Sequence, residues 1–188
     1  MITIEIKKIS MPFITDPKLF SPGRLDAGTA AMLSGVEFLQ SDKVLDLGCG
    51  YGVVGIYAAK CIGSEKITMC DVDPTAVELS RKNAVLNNLP DIKIVQSNGF
   101  ENIDDTGFTL ILSNPPYHAD FSVPKHFIEK GFNRLVVGGK MLMVTKRKDW
   151  YKNKFISIFG GVKINEIEGY FVFTAEKRTS SFASKKSR

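Results

Sequence analysis

Apolar residues in this chain fall into short blocks that alternate between two rhythms. The run KVLDLG (43–48) is apolar almost without a break and ends in glycine, the pattern of a strand buried on both faces. VVGIYAAKCI (53–62) follows with helical character, and KITMCDVD (66–73) reads as a second strand. PTAVELSRKNAVLNN (74–88) opens with proline in its first turn, and Ala76, Val77, Leu79, Ala84, Val85 and Leu86 recur at three-to-four spacing. DIKIVQSN (91–98) and FTLILSNPP (108–116) predict a third and a fourth strand, the latter running into a Pro-Pro stop. A helix over 123–136, a strand over 138–145 and an amphipathic helix over 148–159 follow. The last block, 161–177, predicts two strands turning near Glu168–Gly169.

Parallel strands need a crossover long enough to hold a helix, so strands that alternate with helices predict an α/β fold. The expected architecture is a Rossmann-like, doubly wound, mostly parallel sheet, with one antiparallel strand from the closing hairpin. Residues 1–177 are expected as a single domain. Residues 178–188 (RTSSFASKKSR) lack apolar periodicity and are expected as a basic, flexible tail.

Composition adds bounds. With 188 residues, 44% hydrophobic and 24% charged, the chain is that of an ordinary globular domain rather than a disordered or fibrous one. No apolar run approaches the roughly 18–20 residues of a membrane helix, and the N-terminus has no signal-peptide core. Cys49, Cys61 and Cys70 lack metal or disulfide spacing, and His118 and His126 are the only histidines. The expectation is a reduced, cytoplasmic protein with no metal and no membrane partner. The net charge of +5 hides a split. Residues 1–120 carry 10 Lys/Arg and 15 Asp/Glu, whereas residues 121–188 carry 15 and 5. That asymmetry points to a polyanionic partner for the basic part, with a merely solvated lysine-rich surface as the alternative.

In a doubly wound sheet, ligands bind beyond the carboxyl ends of the strands. After the first predicted strand stands Asp46-Leu-Gly48-Cys-Gly50-Tyr-Gly52. Its glycines allow a tight turn and close approach to a ligand, and the following helix N-terminus offers N–H groups to a carboxylate or phosphate. A literal dinucleotide fingerprint also exists as Gly50-Tyr-Gly52-Val-Val-Gly55, which keeps a nicotinamide-dependent oxidoreductase as a rival. The register argues against it, because Asp46 and Gly48 come first. Asp71 ends the second strand, where a carboxylate accepts from ribose hydroxyls, and Val72 is placed to pack on adenine. Asp73 reads as a helix N-cap. Ser97-Asn98-Gly99 ends the third strand, where the Asn98 amide is a candidate reader of the adenine edge.

Asn114-Pro115-Pro116-Tyr117 after the fourth strand is the most specific feature of the chain. An exocyclic amine of a base, or an amide nitrogen, is a poor nucleophile because its lone pair is delocalised. The Asn114 carboxamide oxygen and the Pro115 carbonyl are suited to accept one N–H each and so favour a pyramidal, nucleophilic nitrogen. Proline stiffens the corner, and Tyr117 offers a face for stacking. Approximation and alignment would then supply the rate, with neither metal nor covalent intermediate.

Those motifs together resemble the amino-group methyltransferases. N-P-P-Y-H, with His118 after Tyr117, and the upstream Phe20-Ser-Pro-Gly-Arg24-Leu-Asp26-Ala-Gly28-Thr29 are similar to the small-domain methyltransferase family. That family includes the small-subunit ribosomal RNA guanine-N2 methyltransferases. The resemblance runs from about Phe20 to Lys177. It implies a seven-stranded sheet with a reversed last strand, S-adenosylmethionine as methyl donor, and a guanine amine of ribosomal RNA or a ribosomal subunit as acceptor. By the same likeness Asp46 orients the glycine loop and the amino-acid end of the cofactor, and Phe20 and Thr29 line the methionine end. Phe20, Pro116 and His118 face the substrate. Guanine-specific members carry Phe where this chain has Tyr117, and N-P-P-Y is common in adenine-N6 and protein-glutamine methyltransferases. The acceptor therefore stays open among the three.

Several residues have plainer readings. Cys49 fills space in the loop, and Arg24 and Asp26 form an ion pair at the loop base. Trp150 is a partly buried anchor, and Phe171 and Phe173 are packing residues. Lys146, Arg147 and Lys148 are the expected RNA contacts, whereas Lys185, Lys186 and Arg188 read as a solvated tail.

Overall fold

Two antiparallel strands, β1 (Ile2–Ile6) and β2 (Ile9–Phe13), open the chain in the computed structural model, which describes residues 1–17, 21, 23–116 and 120–183. This hairpin is not among the elements predicted above. Its turn is Lys7–Lys8, both at positive φ (45° and 71°), without the Asn-Gly or Asp-Gly that advertises such turns. The hairpin buries Ile4, Ile6, Met11 and Phe13 in the main core.

The remaining α-helices and strands are α1 (Ala27–Ser34), β3 (Val44–Leu47), α2 (Val53–Ile62), β4 (Ile67–Asp71), α3 (Pro74–Leu86) and β5 (Lys93–Gln96). They continue with β6 (Phe108–Ser113), α4 (Ser122–Arg134), β7 (Leu135–Thr145), α5 (Asp149–Phe159), β8 (Lys163–Ile167) and β9 (Tyr170–Glu176). Strands β3 to β9 form one seven-stranded sheet in the order β5-β4-β3-β6-β7-β9-β8. Every pairing from β5 to β7 is parallel, and β9 lies antiparallel between β7 and β8. The doubly wound sheet with one reversed strand is as the sequence predicts.

The apolar runs have a two-sided explanation. Val44, Leu110, Leu112, Leu142 and Val144 pack with α1, α2, α3 and the hairpin, while Leu45, Leu47, Ile111, Met141 and Met143 pack with α4 and α5. Alternate residues of each strand thus enter different cores, which is why the runs show no polar face. Beginning at β3, the chain builds outward to β5 and then returns to the other side of β3 with β6. The switch point therefore lies between the carboxyl ends of β3 and β6.

Strand β7 begins three residues before the predicted strand, immediately after α4. A register shift between Phe108 and Leu110 accommodates Gly138 and Gly139, and buried Lys177 closes it by donating from Nζ to the Leu135 carbonyl at 2.7 Å. Arg178–Ala183, expected as the start of a flexible tail, lie back on the domain. Phe182 meets Phe132 edge to face, and Ala183 N–H donates to the Ile158 carbonyl. Lys185, Lys186 and Arg188 lie outside the described residues. Among the described residues no helix is long and apolar enough to cross a membrane.

Candidate active site

A cavity of about 380 Å³ opens at the switch point. Asp46 of β3 and Gly48 and Gly50 of the loop after it line it; from the ends of β4 and β5, Asp71, Val72, Asn98 and Gly99 do. Asn114, Pro115 and Pro116 close the side after β6, and Thr29 of α1 completes the wall. Motifs separated by more than 80 residues in the chain thus share one space. Phe20, Tyr117 and His118, also expected at the site, lie outside the described residues.

The loop holds its shape through its own amides. Gly48 and Cys49 donate to the Cys70 carbonyl, and Gly50 N–H donates to Asp71 Oδ2 at 2.8 Å. Asp71 Oδ1 accepts from Asp73 N–H at 3.0 Å, so this carboxylate locks the loop to the end of β4 while facing the cavity. Each oxygen keeps a further lone pair for a hydroxyl donor. Asp73 caps α3 through Thr75 N–H, as expected.

Asp46 is almost wholly buried, and its Oδ2 accepts from Gly55 N–H at 2.8 Å. One of the N-terminal amides of α2 expected to meet a ligand is thus already held by the protein. Burial pushes the Asp46 carboxyl up to about 7, Gly55 N–H draws it down, and the Asp71 charge raises it further. Burial also pushes the Cys49 thiol well up and Cys70 to about 12, which leaves Cys49 an inert filler.

Gly52 departs from its expected place at the ligand. It is not among the residues lining the cavity; at φ 101° it caps α2, and a Cβ there would lie 2.9 Å from Met69 and 3.2 Å from Ser80. The spacing that resembles a fingerprint therefore reflects packing beneath the loop. Gly99, at φ 59°, has a similar constraint, with His126 Cδ2 2.8 Å from the position of a Cβ. Asn98 is exposed at the rim, and its amide donates to Glu101 at 3.0 Å.

At the turn after β6, Asn114 Nδ2 donates to Asp26 Oδ2 at 2.7 Å and to Thr29 Oγ1 at 3.0 Å. A carboxylate only accepts, so the amide nitrogen must face Asp26 and its oxygen the other way. Asp26 Oδ2 also caps α1 through Thr29 N–H at 2.8 Å. Asp26 thus makes no ion pair with Arg24 among the described residues; its charge is used across the cavity instead. This brace is absent from the motif reading because Asp26 and Asn114 stand 88 residues apart.

Other supports were equally invisible locally. Buried Asn83 of α3 donates to the carbonyls of Ile14 and Tyr51 and accepts from Ile14 N–H, tying the end of the hairpin to the glycine loop. The Tyr51 hydroxyl, raised to about 12 by burial and Asp26, stays neutral and donates to the Ser21 carbonyl. Val123 and Phe127 of α4 form an apolar wall that no motif announces.

The donor set suits one cofactor class. Asp26, Asp46, Asp71 and Asp73 give the cavity four carboxyl groups and, among the described residues, no Lys or Arg. A dinucleotide's pyrophosphate would meet these groups unfavourably, whereas a cationic sulfonium amino acid with a ribose would not.

Comparison with known proteins agrees. Residues 10–174 match the family described as methyltransferase small domain. The chain is 31% identical over 181 residues to the uncharacterized protein YbxB of Bacillus subtilis (strain 168), covering 93% of this chain and 90% of that one. It is 32% identical to ribosomal RNA small subunit methyltransferase C of Pseudomonas entomophila (strain L48), covering 86% of this chain and 49% of that protein. The Thermus thermophilus 16S rRNA N2 G1207 methyltransferase, solved with AdoMet and guanosine, superposes with TM-score 0.85 at 25% identity, covering 94% of this chain and 50% of that one. The chain spans about half the length of these two named methyltransferases. S-adenosylmethionine as cofactor and methyl transfer as reaction class stand as the sequence predicts. The chain belongs to the methyltransferase small-domain family, a group of S-adenosylmethionine-dependent methyltransferases.

Proposed function

We propose that the chain methylates an exocyclic amine of an RNA base, with guanine N2 in ribosomal RNA as the acceptor. The observation that carries this reading is the braced Asn114-Pro115-Pro116 turn opening into the same cavity as Asp46 and Asp71. The named relatives that act on ribosomal RNA, one of them solved with guanosine, support guanine.

When bound, S-adenosylmethionine supplies an activated methyl group on a sulfonium. Asp71 and Val72 would hold its nucleoside part, with Asn98 and Gly99 at the base. Asp46, Gly48, Gly50 and Thr29 would hold its amino-acid part. Asp26 and Thr29 orient the Asn114 carboxamide in advance of the acceptor. The Asn114 and Pro115 oxygens then accept the amine hydrogens and aim the nitrogen lone pair at the donor. Tyr117, Pro116, Phe20 and His118 are assigned to the acceptor side.

Incubating the protein with labelled S-adenosylmethionine and small ribosomal subunits, then digesting to nucleosides, should place the label in N2-methylguanosine. Label in N6-methyladenosine or in protein glutamine would reject the guanine assignment and leave the reaction class intact.

A further inference from the structure

An aromatic ledge bearing three cations flanks the proposed acceptor site. Ser113 at the end of β6 pairs with Met143 of β7, so the chain leaving β7 at Lys146 runs one strand over from Asn114, roughly 10 Å away. Each of the three consecutive cations there sits over a different ring. Lys146 Nζ lies 4.9 Å from the centroid of Tyr170, Arg147 Cζ 5.0 Å from Phe121, and Lys148 Nζ 5.2 Å from Phe171. Phe121 in turn stacks on Trp150, with centroids 4.4 Å apart and planes 14° from parallel.

These side chains are held but not neutralised. All three cations are exposed, and none forms an ion pair among the described residues. The nearby Asp120 carboxylate is engaged by Ser122, through both its N–H and its hydroxyl. Asp149 stands in the first turn of α5, where a negative charge suits the helix N-terminus. Phe121 and Trp150 are only half-buried. The ledge is also continuous with the cavity, because Val123, two residues after Phe121, lines its wall.

We infer that this ledge binds the single-stranded RNA flanking the acceptor base, by stacking a neighbouring base on the Phe121–Trp150 pair and by phosphate contact from Lys146, Arg147 and Lys148. The inference rests on the RNA reading above. A base whose exocyclic amine reaches Asn114 inside a cavity has left its duplex or stack, and its neighbour has lost a stacking partner. Aromatic faces beside cations are what replace that loss in single-strand recognition. Lys146 and Lys148 contribute point charges, whereas the planar Arg147 contributes charge and stacking together. The expected role of Trp150 as an anchor is thereby extended, since it also stacks on Phe121.

Trp150 is the single tryptophan of the chain, so its emission reports on the ledge directly. Titrating the full-length protein with a guanosine-containing single-stranded RNA oligonucleotide should quench that emission. Arg147→Gln and Lys148→Gln, both at exposed positions, should each weaken RNA binding severalfold and lower its salt dependence. Trp150→Ala should weaken binding by about tenfold, and Trp150→Phe should restore most of it. Affinity for S-adenosylhomocysteine should stay unchanged in all four variants.

Should the wild type methylate RNA while emission and variant affinities stay unaltered, the ledge is overturned and the RNA methyltransferase reading survives. A wild type that binds S-adenosylhomocysteine but neither binds nor methylates RNA overturns both. Quenching by polyglutamate at concentrations equal to those of RNA would reassign the surface to an acidic polypeptide.

Discussion

Asp26 illustrates how one side chain serves two ends of the chain. It caps α1 and orients Asn114, so its loss should be felt in both stability and turnover. Asp26→Ala is expected to cost about 1 kcal/mol as a lost cap, measured by urea denaturation, and to lower kcat with little change in cofactor affinity. Asn114→Ala should have the larger effect on turnover, on the order of 10²–10³-fold, because it removes an oriented acceptor from the reacting amine. Asp46 makes a prediction in pH. Its carboxyl, raised from 3.8 to about 7, keeps a proton in the folded protein that the unfolded chain has already lost. Stability of the ligand-free protein from this group is full below the unfolded value and declines as pH rises toward about 7. Under the proposed placement of the cofactor's cationic amino-acid end beside Asp46, the ionised form favours binding, so affinity for S-adenosylhomocysteine should tighten from about pH 6 to about pH 8. Calorimetry on Asp46→Asn should show a flat profile; an unchanged slope would remove Asp46 from that role.

At the scale of elements, the hairpin β1–β2 behaves as a buttress for the cofactor loop. Asn83 is fully buried and spends its amide on Ile14 and Tyr51, so its removal strands buried backbone groups on both sides. Asn83→Ala is expected to destabilise by about 2–3 kcal/mol and to loosen cofactor binding, read from thermal unfolding with and without S-adenosylhomocysteine. Helix α3 was legible as a helix from its apolar spacing. The purpose of Asn83 within it and of Asn87 just after it was not, since they donate to backbone carbonyls of Ile14, Tyr51 and Pro12, which are 69, 32 and 75 residues distant. The β6 turn shows the converse. Asn114-Pro115-Pro116 identified itself because its specificity is local, whereas the brace that orients it lies in α1.

The whole molecule separates its charges by function. The acidic first 120 residues supply the carboxyl groups of the cavity, and the basic remainder supplies the ledge beside it. A cavity with four carboxyl groups should discriminate sharply between cofactor classes. Saturation with S-adenosylhomocysteine at about 100 times its Kd should stabilise the fold by about 2.7 kcal/mol and raise Tm by roughly 5–10 °C. NAD(H) at equal concentration should leave Tm unmoved; a matching shift would revive the oxidoreductase reading.

The sequence by itself determined the order of strands and helices from β3 onward, the class of sheet and the two loops that meet at the cavity. Each of these depends on neighbours within one element or one turn, where periodicity, glycine and proline act directly. The tertiary structure alone decided that Gly52 packs on Met69 rather than lining the cavity, that Asp26 serves Asn114 rather than Arg24, and that the N-terminal residues form a supporting hairpin. It also decided that Lys146, Arg147 and Lys148 each settle on an aromatic ring. Those outcomes depend on pairings across tens of residues. The sheet creates them by bringing the carboxyl ends of its strands to one edge, and no local pattern encodes which side chains will meet there.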